Sequence, residues 1–333
     1  MKQYDNHIPS PKGLPGENTD SQDLETVMTE IINAVRPLRK RPLDFKKRDG
    51  YSWSFLHNCE DRLSLKEADQ DEEDRRAKVL ECIITYICNN QELFSTDAYA
   101  EPGNAYDDQF FGADVVMGLP GGRGEPDTVF SLDASSAISP DSVSHKFKTS
   151  RYFDAKYHPE RPKTSKLNFF HHDERYERIS SLPNYIVGAR VATIIDSAKH
   201  FKIEPGGIIH HERDPVLQEM LLIEVILQAE TGVYACDNVP AENKNETTAK
   251  TRKDHLKVYN ACRATLAQRW KTDIQTREGR QAFYEHLYDS YIEYGKKDDT
   301  FRSITSIASK ERTAQLTRLR KRRAAQSQKN VAS

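Results

Sequence analysis

The feature that most restricts this chain is a pair of short apolar runs, each with a carboxylate inside it. FFGADVVMG carries Asp114, and TVFSLDASSA carries Asp133. Short runs rich in Val, Phe and Leu, bounded by Gly and Pro, read as β-strands. The segment between them, LPGGRGEPD, is dense in turn residues and reads as a hairpin or loop. A carboxylate in an apolar strand is costly unless something pairs with it. Two of them facing each other across a hairpin can serve one site. Hard oxygen donors converging in this way suit Mg²⁺, with Mn²⁺ as a substitute and water filling the remaining positions. Such an ion activates water and neutralises charge on a phosphodiester.

The surrounding sequence predicts a mixed α/β (α+β) protein with a small central sheet flanked by helices. Residues 1–22, rich in Pro, Gly, Asn and Asp, read as a disordered leader. Leu24, Val27, Met28, Ile31, Ile32 and Val35 have helical spacing, and Pro37 ends that helix. Residues 60–93 read as a helix with an apolar stripe at Ala77, Leu80, Ile84 and Ile87. Residues 139–182 read as polar and irregular, and NYIVGARVATII from Asn184 to Ile195 as a further strand. Residues 214–230 form a helix apolar on nearly every side, with Asp214 as N-cap and Pro215 in the first turn. Residues 252–294 give one or two more helices. The expected division is a 1–22 leader, a 23–200 α/β core, a 201–300 helical extension and a 301–333 basic mobile tail without a core face.

Composition narrows the setting more than the function. Of the 333 residues, 37% are hydrophobic and 30% charged, so part of the length is expected outside the core. The net charge is −2, so any nucleic-acid contact must come from local clusters. The longest helical apolar run, Val216 to Leu227, is interrupted by Gln218, Glu219 and Glu224, which argues against a membrane span. The N-terminus lacks the apolar stretch of a secretory signal. Five widely spaced cysteines, Cys59, Cys82, Cys88, Cys236 and Cys262, fit buried or free thiols in a reducing compartment. The expected location is intracellular, in the cytoplasm or, in a eukaryote, the nucleus.

Taken in order, residues 75–200 resemble the PD-(D/E)xK nuclease superfamily: a helix containing Glu81, a strand with Asp114, a hairpin, a strand with Asp133, and a further apolar strand. The resemblance implies a three-layer, restriction-endonuclease-like core with a small mixed sheet. It implies Asp114 and Asp133 as catalytic metal ligands and Glu81 as an accessory acid. The family places a lysine two residues after the second acid, and here that position is Ser135. Serine cannot supply the positive charge that positions water and phosphate. A lysine from elsewhere must then substitute, and Lys146 and Lys156 are nearest in sequence. A lysine such as Lys156 would orient the water or phosphate; Asp154-Ala155-Lys156 also spells a complete D-x-K in a second frame, with Asp133 or Asp127 as its earlier acid, but the first frame is preferred because its two acids sit in better strand candidates.

Other signals have ordinary explanations. His171-His172-Asp173-Glu174 and His210-His211-Glu212 could build a second metal site, but adjacent side chains on a strand or helix point apart. GLPGGRG lacks the GK[ST] ending of a phosphate loop and reads as a turn. Glu224, among Leu217, Met220, Leu221 and Leu227, calls for a salt bridge to a cation of another helix. Basic clusters lie at 36–48 and at 312–323; Arg318, Arg320, Lys321, Arg322 and Arg323 in the second are candidate nucleic-acid contacts. The functional expectation is a metal-dependent nuclease, or an eroded nuclease-like protein that still binds nucleic acid. The alternative is a non-catalytic interaction or assembly module, with a protein partner or a second copy of the chain.

Overall fold

The computed structural model describes residues 26, 28–33, 40–45, 51–68, 75–91, 93–95, 97–122, 125–136, 140–149, 165–172, 175–203, 209–211 and 214–332. The leader expected at 1–22 lies outside them. Of the two acid-bearing runs, the second forms a strand that contains Asp133, whereas the first is a strand only from Val115: Phe110 and Phe111 end a helix and Asp114 stands just before the strand. β2 (Val115–Leu119) and β3 (Thr128–Ser135) pair antiparallel, with Val115 opposite Leu132 and Leu119 opposite Thr128. The segment between them is the connecting loop, where Asp127 accepts from the Gly121 amide at 2.9 Å. β1 (Tyr99–Pro102) adds antiparallel to β2, and β6 (Asn184–Gly188) adds parallel to β3. The result is a small mixed sheet in the order β1-β2-β3-β6.

Strand alternation then separates two faces. Val115, Met117, Phe130, Leu132, Tyr185 and Val187 are buried in the main core. They share it with α1 (described part 28–33), α3 (Arg75–Asn90), α7 (Pro215–Asp237) and α8 (Glu246–Arg269). The alternate positions include Ser131, Asp133 and Ser135. Ile186 on this second face packs against Val143 and Phe147 of α5 (Pro140–Thr149). Val116 packs with Leu167 and Leu182 of the hairpin β4 (Ser165–His172) and β5 (Arg175–Leu182). A register slip of one residue would turn the acids into the apolar core, so this face pattern pins the pairing.

Each sheet edge is closed by a helix carboxamide. Asn89 of α3 donates to the Ala100 carbonyl at 2.8 Å and accepts from its amide at 2.7 Å. Gln228 of α7 does the same to Ile186 of β6, at 2.7 and 3.0 Å. Each side chain takes the place of a further strand at one residue. The edges are thereby blunted against pairing with another chain.

Several expectations change in detail. The helix expected at 60–93 is two helices, α2 (Trp53–Ala68) and α3. The segment expected to be irregular contains α5, β4 and β5. Asn184 to Ile195 is not one strand: β6 ends at Gly188, and α6 (Val191–Ala198) follows. The reason lies far along the chain. The Asp298 carboxylate accepts from the Arg190 amide at 2.9 Å and the Thr193 hydroxyl at 2.7 Å, which starts a helix where β-branched residues alone favour a strand.

Asp214 caps α7 as expected, accepting from the Leu217 amide at 3.0 Å. α8 is followed by α9 (Arg277–Lys297) and α10 (Asp299–Ala332). The basic tail expected at 301–333 is thus helical over its described residues. Phe301, Ile304, Ala308, Gln315 and Leu319 are buried at helical spacing, and Gln315 accepts from Asn238 through both its backbone and side-chain oxygens. The stripe escapes a hydrophobicity reading because a glutamine fills one of its turns. Short strands β7 (Phe201–Ile203) and β8 (Ile209–His211) complete the chain. No helix among the described residues is long and apolar enough to cross a membrane. All five cysteines are buried, and none is in a disulfide.

Among the described residues, no cation of another helix forms the expected salt bridge with Glu224. It is fully buried, and one carboxylate oxygen accepts from the Gly188 amide at 2.9 Å. Burial pushes its carboxyl well above the ordinary range; the Gly188 amide opposes this and Asp298 adds to it. The folded chain therefore holds this proton to higher pH than the unfolded chain does. Stability linked to it is complete below the unfolded value of about 4.3 and declines as pH rises above that. Glu224→Gln keeps the acceptor without the ionisation. Its melting temperature is expected to gain on the parent's as pH rises above about 5. An offset that does not change with pH contradicts this assignment.

Candidate active site

The register of β2 and β3 determines where the two acids meet. Just beyond the Val115–Leu132 pair, at the entry to β2, the Asp114 amide donates to the Leu132 carbonyl at 3.0 Å. Asp114 Oδ2 accepts from the Ala134 amide at 2.7 Å, which fixes that carboxylate against β3 beside Asp133. Two buried carboxylates this near repel. The compensating charge comes from α5. Lys146 Nζ lies 2.6 Å from Asp133 Oδ1 and 2.7 Å from the Ala134 carbonyl.

The electrostatics follow from this crowding. Burial pushes the Asp133 carboxyl up to about 6, opposed by Lys146 and reinforced by Asp114. Burial also acts against the Lys146 ammonium, but Asp133, Asp114 and, more weakly, Glu81 outweigh it and raise its pKa above the ordinary value. The Asp133 side chain is 8% exposed, and that of Lys146 36%. The lysine therefore sits at the mouth of the site, and solvent screens part of its charge.

The frame around the acids is rigid. α4 (Ala105–Phe111) starts at Asn104, whose side chain accepts from the Tyr106 amide at 2.8 Å, and ends at Gly112 with φ +62°. A Cβ at Gly112 would stand 2.9 Å from Asp133 Oδ2, so only glycine permits both this turn and this approach. Asn184 of β6 holds the same turn, donating to the Gly112 carbonyl at 3.0 Å. Asp107 of α4 accepts from the Asn168 amide through both oxygens, at 2.9 and 3.1 Å, tying the β4–β5 hairpin to the site wall.

Of the residues singled out from sequence, Asp114 and Asp133 come together. Glu81 lies on α3, paired with Lys78 at 2.5 Å, and its charge acts on Lys146. Lys78 is also 4.0 Å from Asp108. Asp127 is in the β2–β3 loop. Asp154 and Lys156 lie outside the described residues, so the lysine seen at the acids is Lys146, on a helix following β3. Gly112, Asn184 and Asp107 were missed. The only sequence hint was the FFG break that ends α4. The backbones of His171, His172, His210 and His211 lie in β4 and β8, and their side chains fall outside the described residues. Among the described residues, no group of three or more His, Cys, Asp and Glu gathers to hold an ion. Asp114 and Asp133, with the Ala134 carbonyl beside them, nonetheless suit Mg²⁺, which commonly rests on one or two carboxylates and otherwise on water and substrate oxygens.

The basic end of α10 is separate. Arg318, Arg320 and Lys321 are exposed, whereas the Arg322 guanidinium donates to the Asn238 carbonyl. The Arg323 side chain lies outside the described residues. In the first cluster Arg41 pairs with Glu60 at 2.6 Å. Comparison with protein-family models, curated proteins and solved structures gives no match for this chain.

The raised Asp133 carboxyl has a measurable consequence. The unfolded chain releases this proton near pH 4 and the folded chain near 6, so stability is lost as pH rises across that window. Asp133→Asn is expected to match the parent at about pH 4 and to exceed it by roughly 1–3 kcal/mol at about pH 7, by urea unfolding. A variant less stable than the parent at both pH values would show that Asp133 stabilises the fold.

Proposed function

We propose that this protein is a Mg²⁺-dependent nuclease, with Asp114, Asp133 and Lys146 at its centre. The carrying observation is two buried carboxylates near enough to act on each other, one of which, Asp133, is held by a lysine amine at 2.6 Å. An arrangement that sets like charges against each other and leaves one carboxyl perturbed is a feature of working sites more than of structural ones. The element order supports the same reading. The chain runs from the helix with Glu81 through β1, α4, β2, β3, α5 and the β4–β5 hairpin to the parallel strand β6, an order compatible with the core that the resemblance implies.

In this reading Asp114 and Asp133 hold the cation, which supplies Lewis acidity and lowers the pKa of water. Lys146 presents a positive charge that orients water or a phosphate oxygen as negative charge develops. Having come from α5, it performs the task for which Ser135 is unsuited. Glu81 adds negative potential. Arg318, Arg320 and Lys321 give a local positive surface for a polyanion that the net charge of −2 would not attract.

A second reading, a non-catalytic interaction module, draws on a different surface. Tyr284 and Tyr288 are 42% and 63% exposed on α9, where they line a shallow pocket with Gln281, Glu285 and Asp289. Exposed tyrosines of this kind favour protein contacts.

The test is incubation of purified protein with linear DNA, plasmid and RNA in Mg²⁺, Mn²⁺ or EDTA, with Asp133→Ala and Lys146→Ala alongside. The proposal expects metal-dependent cutting that falls by about a hundredfold or more in either variant. Cutting by Asp133→Ala at the parental rate contradicts it. Binding without cutting indicates a recognition core, and neither activity favours the interaction module.

A further inference from the structure

The Lys146 amine does more than neutralise. It occupies Asp133 Oδ1 and the Ala134 carbonyl together, at 2.6 and 2.7 Å. Those are two oxygens that a hard cation at this position would take. Asp114 Oδ2 is engaged by the Ala134 amide, so the second carboxylate alone offers only part of a coordination sphere. With the amine in place, the local formal charge is that of two carboxylates and one ammonium, a weak attractant for a divalent ion. With the amine withdrawn, both carboxylates face the ion unopposed, and Coulomb attraction rises steeply in a largely buried setting.

We propose that Lys146 is a built-in occupant of the cation seat, an autoinhibitory contact that must release Asp133 and the Ala134 carbonyl before a divalent ion can enter. The proposal rests on the nuclease reading and adds regulation to it. The amine has somewhere to go. Lys146 is 36% exposed at the mouth of the site, and a lysine stem is long and flexible. The same movement carries its charge from the ligand oxygens to the solvent side, where substrate phosphate would arrive. Lys146 and the ion thus compete before substrate is present and act together afterwards. Because binding linkage is reciprocal, an ion that displaces the amine must expose it.

The test uses full-length protein and Mn²⁺ alone, with binding followed by electron paramagnetic resonance rather than by activity. Lys146→Met removes the occupant and keeps the apolar stem. It is expected to bind Mn²⁺ at least tenfold more tightly than the parent while losing any cleavage. Asp133→Asn is expected to abolish binding in both backgrounds. In the unmutated protein, reductive methylation of Lys146, read by mass spectrometry, is expected to quicken when Mn²⁺ is added. That arm decides the matter if Lys146→Met does not fold. Equal or weaker Mn²⁺ binding by a folded Lys146→Met, or methylation unchanged or slowed by Mn²⁺ in a protein that binds it, overturns the proposal and leaves the nuclease reading standing. Absence of Mn²⁺ binding in every variant overturns both.

Discussion

Two buried carboxylates held side by side repel, and much of this molecule can be understood as the frame that holds them there. The Asp114 amide and carboxylate are tied to Leu132 and Ala134 of β3, and the alternation of apolar residues on the other face prevents escape by a slip of register. Lys146 makes the pair tolerable by seating its amine on Asp133 and the Ala134 carbonyl. The unfavourable part of this arrangement is offset by the large core shared by the sheet and the helices α3, α7 and α8.

The sheet itself is small, and its stability depends on the helices at its margins. Asn89 and Gln228 each satisfy both backbone groups of one edge residue, so neither margin invites another strand. Glu224 adds a third contact to β6 from the same helix as Gln228. Asp298 links the starts of α6 and α10, accepting from Arg190, Thr193 and Phe301. The helices after residue 214 are therefore part of the main structure rather than an addition to it. Their residues Leu221, Val258, Phe283 and Phe301 lie in the same cluster as Phe130 of β3.

What was legible in the sequence was local. Asp214-Pro215 announced α7, and the two apolar runs flanking Gly and Pro announced the β2–β3 hairpin, because both signals act over a few residues. What was not legible depended on partners far along the chain. Asp298 converts the end of an apparent strand into α6 from more than a hundred residues away. Lys146 was one of two nearby lysines, and Lys156 had the better local motif. Only the packing of α5 against β6 and α10 distinguishes a lysine that reaches Asp133 from one that merely follows it in sequence. The buried stripe of α10 was masked by its arginines, which occupy the outer positions between Phe301 and Leu319.

The central claim is that Asp114 and Asp133 form one cation-dependent centre with Lys146. The most direct measurement is the crystal structure of the protein soaked in Mn²⁺, with the ion located by its anomalous scattering. The account predicts a peak within coordination distance of both carboxylates, with the Lys146 amine moved off Asp133. A peak elsewhere in a crystal saturated with Mn²⁺, with Lys146 still seated on Asp133 Oδ1, would contradict it.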